Sequence, residues 1–177
     1  MLVLDIDGTI FRKDYTATQR VQNTLKSLSE DGVKVVLCTG RMYAATKFIA
    51  AELGLKTPVI CYQGGLVKNF YENQDTLWSR PMDCSLAREV IKDLKSRNVF
   101  FNLYVNDELM VEHDSPLIRQ YVDARNISYK VIGDSENVDL NGLNKILAID
   151  DDTGLIENLQ KEMAEKYKAK LDVVRST

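Results

Sequence analysis

Asp5-Ile6-Asp7-Gly8-Thr9 follows the apolar run Met1-Leu2-Val3-Leu4 at the start of the sequence. Four apolar residues are enough for a buried strand and Gly8 halts it, so both carboxylates arrive where a strand hands over to a loop. In an open α/β sheet that edge is where ligands bind. Two acids one residue apart can divide a reaction, one attacking while the other moves protons. They also offer the hard oxygen ligands that magnesium takes alongside water and substrate phosphate. Taken alone, such a pair more often marks a solvated turn. Its setting argues for chemistry, because a second apolar run ends in Cys38-Thr39-Gly40-Arg41.

Thr16-Ala17-Thr18-Gln19 has the form of a capping box that opens at Thr16. Val21, Leu25 and Leu28 then share one helical face, and Gly32 marks the stop of a helix of about four turns. Val33 to Cys38 is β-branched and does not alternate, so it reads as a strand covered on both faces, which completes a β-α-β unit. Ala44, Ala45, Phe48, Ile49 and Leu53 give the next helix an apolar face, and Pro58 to Tyr62 is a third strand. Gly64-Gly65 breaks it, and Leu66-Val67 with Trp78-Ser79 reads as a hairpin. Pro81 cannot continue a ladder. It sets the expected boundary between two domains, residues 1–80 and 81–177.

In the second domain Leu86, Val90, Ile91 and Leu94 mark a helix, Val99 to Val105 a strand and Leu109 to Val111 its hairpin partner. Pro116 opens a helix, Ile146 to Ile149 is a strand, Ile156, Leu159 and Met163 mark a helix, and Leu171 to Val174 is a last strand. These runs predict helices on one side of a largely antiparallel sheet.

The D-x-D-G-T stretch, with Thr39 ending the second strand, resembles the haloacid dehalogenase superfamily of phosphohydrolases. The form Thr39-Gly40-Arg41, the segment Tyr62-Gln63-Gly64-Gly65 and the run Leu103-Tyr104-Val105-Asn106-Asp107-Glu108 look like its Cof-type branch with a type IIB cap. The resemblance implies an α/β fold: part of a Rossmann-like core with a parallel sheet, followed by an α+β cap. It implies hydrolysis of a small phosphomonoester, a sugar phosphate or related metabolite, through an aspartyl-phosphate on Asp5. Asp7 would then be the acid and base, and Mg2+ would be held by Asp5 and by the Asp7 carbonyl. Thr39 and Gly40 would bind the phosphate, and Gln63 and Gly64 would line the substrate loop. Gln63 departs from the Asn usual there. Arg41 either braces the site or touches substrate. A phosphomutase shares the first motif and the cap class, and a non-catalytic interaction module of the same origin is the other alternative.

Composition narrows the classes. The 177 residues are 45% hydrophobic, with formal net charge -3, and residues 81–177 carry 13 basic against 18 acidic side chains. No basic face dense enough for nucleic acid stands out. No apolar run approaches the ~20 residues of a membrane helix, and there is no signal-like start, so a cytoplasmic protein is expected. Cys38, Cys61 and Cys84 are odd in number and lack a C-x-x-C, which predicts reduced thiols, with Cys38 and Cys61 as core filler. No P-loop and no cysteine-phosphatase loop is present. A single histidine, His113, excludes two-histidine phosphatase chemistry and is expected in a loop.

Asp150-Asp151-Asp152 could imitate a late metal motif, but it also suits a helix N-terminus. Lys145, in Asn144-Lys145-Ile146-Leu147, is expected to be structural. The family's third and fourth motifs would follow the cap. Their absence before Thr177 predicts a truncated chain that turns over slowly or not at all, or a homo-oligomer that covers an incomplete core.

Overall fold

The computed structural model describes residues 1–125 and 127–175. β1 (Leu2–Leu4) and β2 (Val35–Leu37) pair in parallel, with Leu4 opposite Leu37, joined by α1 (Gln19–Glu30). α2 (Tyr43–Glu52) leads to β3 (Val59–Cys61), which meets the end of β2 through a parallel bridge between Cys38 and Ile60. β4 (Leu66–Lys68) and β5 (Thr76–Ser79) continue from β3 as antiparallel neighbours. Lateral order is therefore β1-β2-β3-β4-β5, and among the described residues β1 carries no strand on its other edge.

Two local expectations shift. Thr18, not Thr16, caps α1, its hydroxyl accepting from the Val21 amide, while Thr16 bonds the Asp14 carboxylate instead. The helix begins at Gln19, three residues beyond Thr16, so only Thr18 stands one residue before the first turn, where a side-chain oxygen reaches an orphan amide. Phe48 is 68% exposed, since α2 buries Tyr43, Ala45, Thr46, Ile49 and Ala50 on its other face. The Lys47 ammonium lies 5.1 Å from the Phe48 ring centre.

The second sheet runs β8-β7-β6-β9, from β6 (Phe100–Val105), β7 (Glu108–Val111), β8 (Lys130–Val131) and β9 (Leu143–Ile149). Alternation along β6 gives each face its own core. Phe101, Leu103 and Val105 pack with α3 (Cys84–Ser96) and α5 (Thr153–Lys166). Tyr104, with Leu109 and Val111 of β7, instead joins the cluster built on Ile6, Leu37 and Cys61. Ile118 and Val122 of α4 (Pro116–Asp123) belong to that same cluster, so the helices lie on both faces of this sheet and not on one. The inner face needs cover because it is apolar and confronts the first sheet.

β9 starts at Leu143, earlier than the apolar run Ile146 to Ile149 suggests, because Leu143 is fully buried and its carbonyl accepts from the Met82 amide. Leu171 to Val174 forms no strand; it finds no ladder partner, and the Val173 carbonyl takes the Gln160 side chain instead. Asp152 caps α5 by accepting from the Gly154 and Leu155 amides, which assigns the acidic triplet to a helix start.

Candidate active site

Ile6 is the peg of the D-x-D stretch. It is 0% exposed, whereas Asp5 and Asp7 on either side are exposed. Strand-like alternation therefore turns both acids outward from a buried root. The Ile6 carbonyl accepts from the Ile10 and Phe11 amides, which closes the Gly8 loop behind them.

β2 delivers the second group of residues beside the first. The Cys38 amide donates to the Leu4 carbonyl at 2.8 Å, and the Thr39 amide donates to the Ile60 carbonyl at 2.9 Å. The ends of β1, β2 and β3 are thus stitched together at the level of Asp5 and Thr39. The Asp5 charge, after burial, helps push the Cys38 thiol above its ordinary pKa. Burial holds the Cys61 thiol up at about 12, consistent with an inert core cysteine.

Thr39 is 2% exposed, and its hydroxyl accepts from the Arg41 amide at 3.2 Å. That closes a turn within the loop and does not cap α2, whose cap position is Met42. Gly40 is held closely: a Cβ there would lie 3.4 Å from the Gln63 side chain. Gln63 itself adopts φ 54°, and its amide donates to the Thr39 carbonyl at 3.0 Å. The longer Gln side chain therefore lies flat against the Gly40 backbone, with Gly64 beside it at φ 97°.

Arg41 reaches back across the loop to Asp7 in a two-point ion pair, with Nε to Oδ2 at 2.8 Å and Nη2 to Oδ1 at 2.6 Å. The Asp7 hydrogen bonds hold the guanidinium above its ordinary value even though burial opposes this. Arg41 is thus paired with Asp7 across the loop. The Asp5 carboxylate makes no hydrogen bond or ion pair among the described residues, so it is the free acid of the two.

The start of α2 does not face this loop alone. Its Tyr43 and Ala44 amides favour the charge of the Asp107 carboxylate, which accepts from the Tyr62 hydroxyl at 2.7 Å. Burial nevertheless raises the Asp107 pKa, because desolvation outweighs these bonds. The Asn106-Asp107 turn is thereby tied to the first sheet. A cavity of about 250 Å³ lies beside it, lined by Met42, Phe48, Asp107 and Tyr129 among others, and includes neither Asp5 nor Thr39.

Further side chains reach the loop from the second sheet and the end of α4. Lys145, opposite Tyr104 in the β6–β9 register, donates to the Gly40 carbonyl at 3.2 Å. Burial first, then the neighbouring Arg125 charge, hold the Lys145 ammonium below its ordinary value. The Tyr104 and Tyr121 hydroxyls share a 2.7 Å hydrogen bond. The Arg125 guanidinium lies 4.1 Å from the Tyr121 ring centre and 6.0 Å from that of Tyr15, which is itself 5.7 Å from Arg41. Lys145 thus ties β9 to the Gly40 loop. His113, by contrast, is exposed in the β7–α4 loop. Among the described residues no group of three or more His, Cys, Asp or Glu gathers to hold a metal.

The family model of haloacid dehalogenase-like hydrolases matches residues 2–177. The chain belongs to that family. It is 29% identical over 124 residues to the 5-amino-6-(5-phospho-D-ribitylamino)uracil phosphatase YitU of Bacillus subtilis, covering 67% of this chain and 44% of that one. It is 28% identical over 113 residues to the pyridoxal phosphate phosphatase YbhA of Escherichia coli, covering 64% and 41%. The crystal structure of a haloacid dehalogenase-like hydrolase from Bacteroides thetaiotaomicron superposes with a TM-score of 0.85 at 21% identity, over 99% of this chain and 67% of that one. The chain thus spans less than half the length of these two curated relatives. Among the described residues no helix is long and apolar enough to cross a membrane.

Proposed function

We propose that this chain carries the nucleophile and phosphate-binding loop of a magnesium-dependent phosphomonoester hydrolase. The reading rests on one observation: a free, exposed Asp5 carboxylate stands at the end of β1, alongside the Thr39-Gly40-Arg41 loop whose arginine grips Asp7. A carboxylate that attacks a phosphate dianion needs positive charge nearby, and the transfer depends mainly on alignment and electrostatic stabilisation. The donor set fits magnesium, which binds through one or two protein oxygens together with substrate phosphate and water. Asp5 and the Asp7 carbonyl would hold it, and it would supply charge neutralisation at the phosphoryl oxygens.

In this reading an Asp5 oxygen attacks phosphorus and the ester P–O bond breaks. Asp7 gives its proton to the departing alkoxide, then takes one from the water that attacks phosphorus and releases Asp5 with inorganic phosphate. Its ion pair with Arg41 has to open for either transfer, so Arg41 sets when Asp7 is available. The Thr39 hydroxyl and the Gly40 backbone meet the phosphoryl group, while Gln63 and Gly64 border the substrate. The two relatives named for phosphorylated small molecules support a substrate of that size.

Magnesium-dependent hydrolysis of p-nitrophenyl phosphate tests this. Asp5→Asn is expected to abolish it, and Asp7→Asn to slow it by about 10²–10⁴-fold, the usual worth of a general acid and base. The absence of a third carboxylate among the described residues favours a second reading, a non-catalytic module. Equal, background rates for the unaltered chain and Asp5→Asn would select that module.

A further inference from the structure

Three cations gather around the Thr39-Gly40 loop, Arg41, Arg125 and Lys145, and of these only Arg41 pairs with a carboxylate among the described residues. Arg125 donates to the Tyr121 carbonyl and stacks on the Tyr121 ring; Lys145 donates to the Gly40 carbonyl and lies 5.7 Å from the Tyr104 ring centre. Carbonyl oxygens and ring faces offer partial negative charge, not a counter-ion. Tyr15 and the paired Tyr104 and Tyr121 hold these two half-buried cations without a counter-ion, and charge kept partly out of water unpaired is costly. The surrounding half of the chain has an excess of acidic side chains, so this pair is a local exception and not part of a basic surface. The contacts form a closed circuit from Asp7 through Arg41, Tyr15, Arg125, Tyr121, Tyr104 and Lys145 to Gly40, next to Arg41 in the chain.

We propose that Arg125 and Lys145 form a second anion subsite beside the Thr39-Gly40 loop, taking a carboxylate or second phosphate carried by the phosphomonoester substrate. The inference rests on the phosphatase reading for the position of the first phosphate. Because the Lys145 ammonium touches the backbone of the phosphate loop itself, the spacer between the two anionic groups is short. The tyrosine rings cover part of each cation, which strengthens its attraction for an anion. The paired Tyr104 and Tyr121 hydroxyls fix the rings against which both cations lie.

Isothermal titration calorimetry of the full chain with magnesium tests the subsite through three probes. Ethyl phosphate carries one anionic group, phosphoglycolate replaces its methyl with a carboxylate, and ethylene glycol bisphosphate supplies a second phosphate. At least one of the last two is expected to bind about tenfold more tightly than ethyl phosphate, given the strength of charge-assisted hydrogen bonds. Which of them gains tells the carboxylate and phosphate sources apart. In Arg125→Gln and in Lys145→Gln that affinity ratio should fall towards one, and Lys145→Arg should restore most of it. A ratio near one in the unaltered chain, a ratio preserved in both Gln variants, or no binding of any probe overturns the subsite. The first reading fails separately, if ethyl phosphate binding is indifferent to Thr39→Ala; a ratio still lost in Arg125→Gln would then uphold the subsite alone.

Discussion

The two walls of the cleft are built in opposite ways. The first consists of short side chains and backbone at the ends of β1, β2 and β3, each fixed by the strand beneath it: Asp5 and Asp7 on buried Ile6, and Thr39 locked by three backbone-amide hydrogen bonds. The second consists of long side chains, Arg125 and Lys145, steadied by three tyrosine rings from separate places in the chain. One wall gets its precision from the sheet, and the other from mutual contact. The first should therefore respond to core substitutions, and the second to loss of single hydroxyls.

The largest effect is expected at the root of the first wall. Ile6→Ala removes a fully buried side chain and should destabilise the chain by about 2–5 kcal/mol. Thermal unfolding measures this, each kcal/mol lowering the midpoint by roughly 2–4 °C at this size. A loss well below 1 kcal/mol would mean that the acids are not anchored through Ile6, and the contrast between the walls would break.

The same contrast decides what could be read in the sequence. Asp5, Asp7, Thr39, Gly40 and Arg41 were legible because each lies within three residues of an apolar run, so strand and motif announced one another. Arg41 was left between two roles because its partner lies 34 residues away. The contact of Lys145 with Gly40 is not legible because it spans 105 residues. A signal was present, since a lysine before an apolar strand is an expensive neighbour unless something uses its charge. Arg125, Tyr15 and Tyr121 carried no such signal. In the fold, the β1–α1–β2 unit is legible as two apolar runs on either side of an amphipathic helix, and the hairpin in the break at Gly64-Gly65. The position of α4 did not, because an amphipathic stripe says that a helix is covered, not which face of which sheet covers it.

A smaller effect should sharpen the second wall. Tyr104→Phe removes one partner of the Tyr104–Tyr121 hydrogen bond while keeping the ring, at a stability cost of about 1 kcal/mol. If the wall works by mutual contact, the substitution should also weaken the binding of a phosphoglycolate probe more than that of ethyl phosphate. Equal weakening of both would show that the tyrosines support the whole cleft and not the cations.

The smallest effect concerns the tie between the walls, and its sign depends on pH. Burial raises the Asp107 pKa above its unfolded value, so the folded chain prefers the neutral acid. Below the usual carboxylate range both states bind the proton and nothing is lost. As pH rises through the unfolded value and then the raised folded value, the unaltered chain takes on the cost of a buried charge. Asp107→Asn keeps an acceptor for the Tyr62 hydroxyl but has no charge to bury. The midpoint of Asp107→Asn should therefore gain on that of the unaltered chain as pH rises, with the gap levelling off above the raised value. If the gap runs the other way, the Tyr43 and Ala44 amides at the start of α2 outweigh desolvation. The turn would then be held to the first sheet as an ion at a helix N-terminus, and the joint between the walls would be the most strongly electrostatic contact in the fold.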